Sequence, residues 1–418
     1  FTLFIFTLVV LTFAPIFIFF FAPGFYFDPI KQDISVQVLR IMFPYLALIS
    51  LVALAGGIQN THQKFSLPAL TPVIFNLSLI VAALFIAPKY DMPIYVLAWS
   101  VLLAGLLQLV IQIAPLRSIK RLPTPKINFK NKGIKKFFVV IFPAILAGGI
   151  IQINLLVDTI FASLLETGSP TWLYVSDRLV QFPLGIFAIA IGTVLLPTLS
   201  KLDVIKERTT FNNTIKKGQK FVLFIGIPSL IGLMFCAEDL ISTIFYRGAF
   251  TEEDVSKSSL SLIAFSIGLP FFMLMKVLTP AFFARKDTKT PMYVAIISLI
   301  LNASLNYLLA FVLNFGHVGI AIGSSIAALI SVLILEVILY KDGFIKIQGV
   351  INRFNIMILF SSIALIIFLY FFTSNTNFMN FNQPQRFLFL VIEITISIFI
   401  YFSVSKLIYK KPLKTLFN

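Results

Sequence analysis

Long uncharged apolar runs, broken at short intervals by clusters of charge, proline and glycine, set the pattern of this chain. Between those breaks the runs fall at about 2–22, 38–58, 66–87, 93–115, 137–164, 171–199, 221–237, 258–284, 290–313, 318–340, 354–373 and 387–405. About 20 apolar residues suffice for a helix to cross a hydrocarbon core, and the runs have that length. Their apolar positions are continuous, not alternating in segments of about ten, which excludes a transmembrane β-barrel. The pattern predicts an all-α polytopic membrane protein of about 12 transmembrane helices.

Composition agrees: of 418 residues, 59% are hydrophobic and 12% charged, against roughly 45–50% apolar in soluble domains. The net charge of +16 would point to nucleic acid in a soluble protein. Its placement points elsewhere. The even-numbered connections carry +1, +8, +4, +2 and +2 and the tail +4, whereas the odd ones carry −1, 0, −1, −3, 0 and +1. Basic residues collect on the cytoplasmic side, so the even connections, the C-terminus and residue 1 are expected there, and no nucleic-acid partner is expected. The chain opens on Phe1 within an apolar run that lacks a basic n-region and a small-residue cleavage site, so it is expected to begin partway through a longer protein.

The strongest break, Arg117 to Lys136, holds eight basic residues, two prolines and no acid. It predicts a basic cytoplasmic linker (117–136) between a four-helix N-terminal lobe (1–116) and a six-helix lobe (137–341). A second break, Lys341 to Arg353, sets off a final helix pair (342–418). The short polar loop Asn60 to Ser66 with Pro68 and Asn76 is echoed six spans later by Arg285 to Thr290 with Pro291 and Asn302. Six is even, so the two lobes are expected to be pseudo-symmetric and parallel, with the first truncated.

Soluble-type chemistry finds no support. Cys236 is the single cysteine, and His62 and His317 read as lying in short loops far apart. No HExxH, Walker A, CxxC or GxSxG motif is present. No cofactor is expected. Glu238, Asp239 and the run Glu252 to Asp254 are the acidic group a membrane transferase would need for Mg²⁺; on this topology they read as a solvated outer loop.

Seven charges fall within the runs: Arg40, Asp158, Asp177, Arg178, Lys276, Glu336 and Glu393. Each costs roughly 2.5–3.5 kcal/mol at mid-bilayer on insertion scales. Asp177 and Arg178 follow Trp172 and Tyr174, an aromatic pair suited to the interface, with Gln181 on the same face and Pro183 and Gly185 allowing a bend. Arg178 reads either as a bidentate clamp for phosphate or as a snorkelling or Asp-paired structural charge. Lys276 either adds positive potential to the same cavity or snorkels. By helical rise Asp158, Asn306 and Ser324 lie at similar depth, with Asn302 one turn from Asn306 and Asn154 one turn from Asp158. One carboxylate among neutral oxygens suits a monovalent cation such as Na⁺, or a proton; ordinary interhelical hydrogen bonding is the alternative. Arg40, Glu336 and Glu393 read as interfacial anchors.

Several stretches together resemble the lipid II flippases of the MurJ/MviN type, within the multidrug/oligosaccharidyl-lipid/polysaccharide exporter superfamily. They are APGF from Ala22, RIMFPYLALISL from Arg40, FSLPALTPVIFN from Phe65 and QINLLVDTIFASLL from Gln152, then the long block from Gly168 that contains DRLVQFPLG, FYRGAFT from Phe245 and ARKDTKTP from Ala284. The resemblance implies fourteen helices in two six-helix lobes plus a final pair that grooves the lipid tail, this chain matching the third through fourteenth. It implies that lipid II is flipped from the cytoplasmic to the periplasmic leaflet of the bacterial inner membrane by alternating access. Arg178 matches the arginine of the family's DRL motif, and Gln181 stands where some members have Glu. Asp158 matches an aspartate resembling a sodium ligand in some members, with Asn302, Asn306 and Ser324 as its partners. Other exporters of the superfamily, moving polysaccharide repeats or drugs, are the nearest alternative; Arg178 and Lys276 argue against cationic drugs.

Overall fold

The computed structural model describes residues 2–122, 149, 152–204, 206–345, 352–376 and 378–409, and every regular element among them is helical. The chain divides into two compact units, Phe1–Ile141 and Phe142–Asn418. Most of the predicted linker, 123–136, lies outside the described residues.

In the first unit, α1 (Thr2–Thr12) and α2 (Ala14–Phe21) meet at 86°, so the first apolar run is broken. Pro15 accounts for the break: it has no N–H for the Leu11 carbonyl and its ring crowds that oxygen. Arg40 Nε donates to the freed Leu11 carbonyl at 3.1 Å, so Arg40 caps the break. After α3 (Pro23–Tyr26), α4 (Pro29–Met42) and α5 (Tyr45–Thr61) form one span of 33 residues. It starts well before the predicted position 38 because Asp28 caps it, accepting from the Ile30 and Lys31 amides at 3.1 and 3.2 Å. α6 (Ser66–Val81), continued by a π turn at Ala82–Ile86, packs on α7 (Pro93–Ser118). Buried amides join these helices: Gln59 donates to Gln112, and Gln108 Nε2 donates to the Thr71 carbonyl at 2.7 Å.

The second unit opens with a helix over residues 152–163, here α8. α9 (Ser169–Pro183) runs through a π turn at Leu184–Ala188 into α10 (Ile189–Ser200), a single span of 32 residues. α11 (Arg208–Phe235), a short α12 (Ala237–Phe245), α13 (Glu252–Ala284), α14 (Lys289–Tyr307, continued by a π turn at Leu308–Val312) and α15 (Gly316–Lys341) follow. The last pair is α16 (Arg353–Asn375) and α17 (Gln383–Tyr409).

The 33-residue α13 is the axis of this unit, in contact with α9, α10, α11 and α15. Leu262, Leu269, Met273, Val277, Leu278 and Phe282 are fully buried along it, and a Thr251–Asp254 capping box starts it. At its other end Arg285 pairs with Asp342 at 2.6 Å, Arg208 donates to the Asp342 carbonyl, and both guanidinium groups stack on Phe344. That cluster joins the ends of α11, α13 and α15. α16 and α17 dock on α11 through Phe224, Ile231, Met357, Leu365 and Tyr401, with Tyr401 Oη donating to the Phe224 carbonyl at 3.0 Å.

Among the described residues ten helices are long and apolar enough to cross a membrane, eleven if α1 and α2 form one broken span. Of the run 137–164, only 149 and 152–164 are described.

Candidate functional site

One face of α9 is pinned and the opposite face is open. Trp172, 3% exposed, donates from Nε1 to Asp254 Oδ1 at 2.7 Å, and its ring meets His317 edge-on at 4.8 Å between centroids. His317 Nδ1 lies 2.6 Å from Ser261 Oγ. One turn on, Ser176 Oγ donates to the Ser258 carbonyl at 2.7 Å. These contacts lock α9 to α13 and bring in the first turn of α15. They also add to and correct the sequence reading: Trp172 is a buried strut, His317 lies inside a helix, and Asp254 serves as cap and indole acceptor. The signal for them was Thr251 with Asp254 three residues on, a capping-box spacing that the solvated-loop reading passed over.

At helical spacing the free face carries Tyr174, Arg178, Gln181 and Phe182, all exposed. Arg178 stacks on Tyr174, its Cζ 4.7 Å from the ring centroid. Among the described residues its guanidinium has no hydrogen bond and no ion pair within 4.0 Å, so all five N–H donors are available. The neighbouring Asp177 is engaged instead by Gln181, whose Nε2 donates to Asp177 Oδ1 at 3.3 Å. Pro183 has no N–H for the Leu179 carbonyl, and the ladder passes into the π turn at Leu184–Ala188 directly after it.

Lys276 is not brought to this group. It is exposed on α13 beside Gly192 of α10, where an added Cβ would lie 3.2 Å from the Lys276 carbonyl oxygen. Gly192 is fourteen residues beyond Arg178, roughly 21 Å along the span.

The second predicted group does assemble. Asn306 Nδ2 donates to Asp158 Oδ1 at 2.6 Å and to Asn302 Oδ1 at 3.1 Å, and Asn302 Nδ2 donates to Ser324 Oγ at 2.8 Å. Asn302, Asn306 and Ser324 are buried, Asp158 partly so. Asn306 Oδ1 is a buried acceptor with no donor, as is Asn154 Oδ1 one turn from Asp158. Unmatched acceptors near a carboxylate are oxygens a cation can take up, and the same hydrogen bonds make an interhelical network. Asp177 lies within electrostatic range of Asp158, which connects this pocket to the Arg178 face. Among the described residues no group of three or more His, Cys, Asp or Glu is placed for a metal ion.

Two further intramembrane charges depart from the anchoring expected of them. Glu336 accepts from Gln219 Nε2 at 2.9 Å, and Glu393 is fully buried against Cys236. Asp239 is also buried, contrary to a solvated loop. Glu336 and Glu393 each bond a residue distant in sequence, which local charge patterning does not report.

Known proteins resemble this chain in sequence and fold. The family model described as lipid II flippase MurJ matches residues 1–389. A probable lipid II flippase MurJ of Vibrio cholerae is 42% identical over 313 residues, covering 75% of this chain and 59% of that protein. A lipid II flippase MurJ of Burkholderia cenocepacia is 36% identical over 326 residues, covering 77% and 63%. The matched part thus spans about three fifths of the length of these curated relatives. A solved structure titled lipid II flippase MurJ, inward closed conformation, superposes with a TM-score of 0.79 at 28% identity, covering 98% of this chain and 81% of that one. A multidrug resistance MATE family transporter shares the fold, with a TM-score of 0.62 at 13% identity.

Proposed function

We propose, from the premise that this chain belongs to the lipid II flippase MurJ family, that it works as a transporter and carries lipid II from the cytoplasmic to the periplasmic leaflet of a bacterial inner membrane. The observation that carries this reading is the guanidinium of Arg178, without hydrogen bond or ion pair among the described residues, within the apolar span Ser169–Ser200. A charge kept there at a cost of several kcal/mol needs an anionic partner, and a diphosphate supplies one that Arg binds bidentately. Asp177 takes its hydrogen bond from Gln181 and forms no ion pair within 4.0 Å with the guanidinium, which leaves the fork to a ligand.

On this reading a cationic cavity takes the sugar–peptide–diphosphate headgroup while the polyprenyl tail remains in lipid, with α16 and α17 as its groove. The cavity opens alternately to the two sides. Lys276, roughly 21 Å away along the span, adds charge toward the opposite entrance instead of to the clamp. Odd connections face the periplasm and the C-terminus the cytoplasm. An inside-negative potential then favours outward passage of each negative charge by about 2.3 kcal/mol per 100 mV.

The reading is tested by expressing the gene encoding this chain, with any flanking sequence it naturally carries, in bacteria depleted of their own flippase. Restored growth and restored exposure of lipid II on the outer leaflet are expected. Lysis of cells with full membrane expression would remove the proposal.

Asp158, Asn302, Asn306 and Ser324 are proposed to hold Na⁺, or a proton, as the coupling ion, which biases the cycle only if it binds one conformation more tightly. Sodium at 100 times its Kd stabilises the bound state by about 2.7 kcal/mol. In detergent the melting temperature is therefore expected to rise when NaCl replaces choline chloride, and Asp158→Asn is expected to abolish that rise. An unchanged sodium response in the variant assigns these residues to helix packing alone.

A further inference from the structure

Outside these two groups, where α12 meets α17, the structure buries two carboxylates, and among the described residues neither has a cation. Glu393 on α17 is 0% exposed; its Oε1 accepts from Cys236 Sγ at 3.2 Å, and its Oε2 is buried without a partner. Asp239, in the first turn of α12, is 7% exposed, and its Oδ2 is also buried without a partner. The buried cation nearby in sequence on α17, Arg386, spends its guanidinium elsewhere. It donates to the carbonyls of Phe378, Met379 and Ser242 and stacks on Tyr246. Glu238 is exposed and adds negative charge, and the Tyr246 hydroxyl is taken up by Glu252 of α13 at 3.1 Å.

Two ionised carboxylates buried on contacting helices, each with an orphaned oxygen, are far costlier than a pair that keeps one proton. A protonated carboxyl gains an O–H donor that a neighbouring acceptor can take up. We propose that Asp239 and Glu393 form a proton-binding site that closes the contact between α12 and α17. No activity assigned to the family is needed for this inference. Burial, and then the charges of Glu393 and Glu238, push Asp239 up to about 8. Burial, and then Glu393, hold the Cys236 thiol well above its ordinary range, so it stays a neutral donor.

The direction of the pH effect follows. Between the ordinary aspartate value of 3.8 and about 8 the folded protein binds a proton that the unfolded chain has lost, so stability falls as pH rises through this window and levels off above it. Thermal unfolding of the purified protein in detergent from pH 5.5 to 9 should show the melting temperature dropping by several degrees. Asp239→Asn and Glu393→Gln should flatten the drop and leave the variants more stable than the wild type at pH 9. Infrared difference spectra between pH 6 and 9 should show a protonated-carboxyl C=O band in the wild type that shrinks in each variant. An identical pH slope in all three proteins overturns the proposal, as does absence of that band from the wild type at pH 6. A slope that follows sodium instead of pH makes the site a cation site and equally overturns it. Should neither variant fold, the band is read in Asp158→Asn: a band that persists there supports the proposal, and its loss there overturns it.

Discussion

Arg178→Ala is expected to yield a protein that inserts, folds and melts as the wild type does, yet fails to rescue flippase-depleted cells and exposes no lipid II on the outer leaflet. Both halves of this result come from the same geometry. The side chain is exposed, stacks on Tyr174 and makes no hydrogen bond or ion pair among the described residues. Removing it therefore leaves no orphaned partner, and the stability change should stay within about 0.5 kcal/mol, as for an unremarkable surface substitution. A bidentate contact to a diphosphate, in contrast, contains two charge-assisted hydrogen bonds worth about 1.5–3 kcal/mol each, so its loss weakens headgroup binding by roughly two to four orders of magnitude. Arg178→Lys keeps the charge but not the planar fork, and should restore partial activity. A melting temperature lowered in step with the loss of rescue would assign Arg178 to the fold; unimpaired rescue by the alanine variant would refute the clamp.

The sequence disclosed the spans because lipid imposes one rule on every residue in them: the backbone must be satisfied locally and the surface must be apolar. Hence the runs predicted at 66–87, 290–313 and 318–340 return as Ser66–Lys89, Lys289–Val312 and Gly316–Lys341. The Asp158 group was legible for the same reason, since Asp158, Asn306 and Ser324 at similar depth in apolar helices, with Asn302 one turn from Asn306, have few other partners. Features that depend on where one helix lies against another were not legible. Arg40 looks like an interfacial charge until the Pro15 break places the Leu11 carbonyl within its reach. Glu393 and Asp239 look like a rim charge and a loop acid because neither α17 nor α12 shows in its own sequence that it will cover the other's carboxylate. Trp172 and Tyr174 are indistinguishable as interfacial aromatics, yet one faces Asp254 and the other Arg178. Lys276 was grouped with Arg178 on sign of charge alone; the helical rise separates them.

The largest loss of stability is expected from a glycine with no chemistry of its own. Gly319 and Gly323 lie one turn apart on α15 and face α14, the small-residue spacing that lets membrane helices approach closely where hydrophobicity gives no drive. A Cβ on Gly319 would stand 2.7 Å from both the Ala310 nitrogen and the Leu309 carbonyl carbon. Those are backbone atoms at the π turn that ends α14, so no rotamer change relieves the contact. Gly319→Val should cost roughly 3 kcal/mol or more, the upper end of overpacking penalties, visible as a sharp fall in melting temperature and in detergent-extracted monomer. At Gly323 the atom in the way is Asn306 Oδ1, a side-chain oxygen, which can move. Gly323→Ala should therefore fold at a smaller cost, while displacing the amide that bonds Asp158 and so losing any sodium response. The two variants separate packing from site: one removes the protein, the other only the pocket. Wild-type melting by Gly319→Val would mean that α14 and α15 do not meet through these glycines, and the four-residue pocket they bring together would fall with that contact.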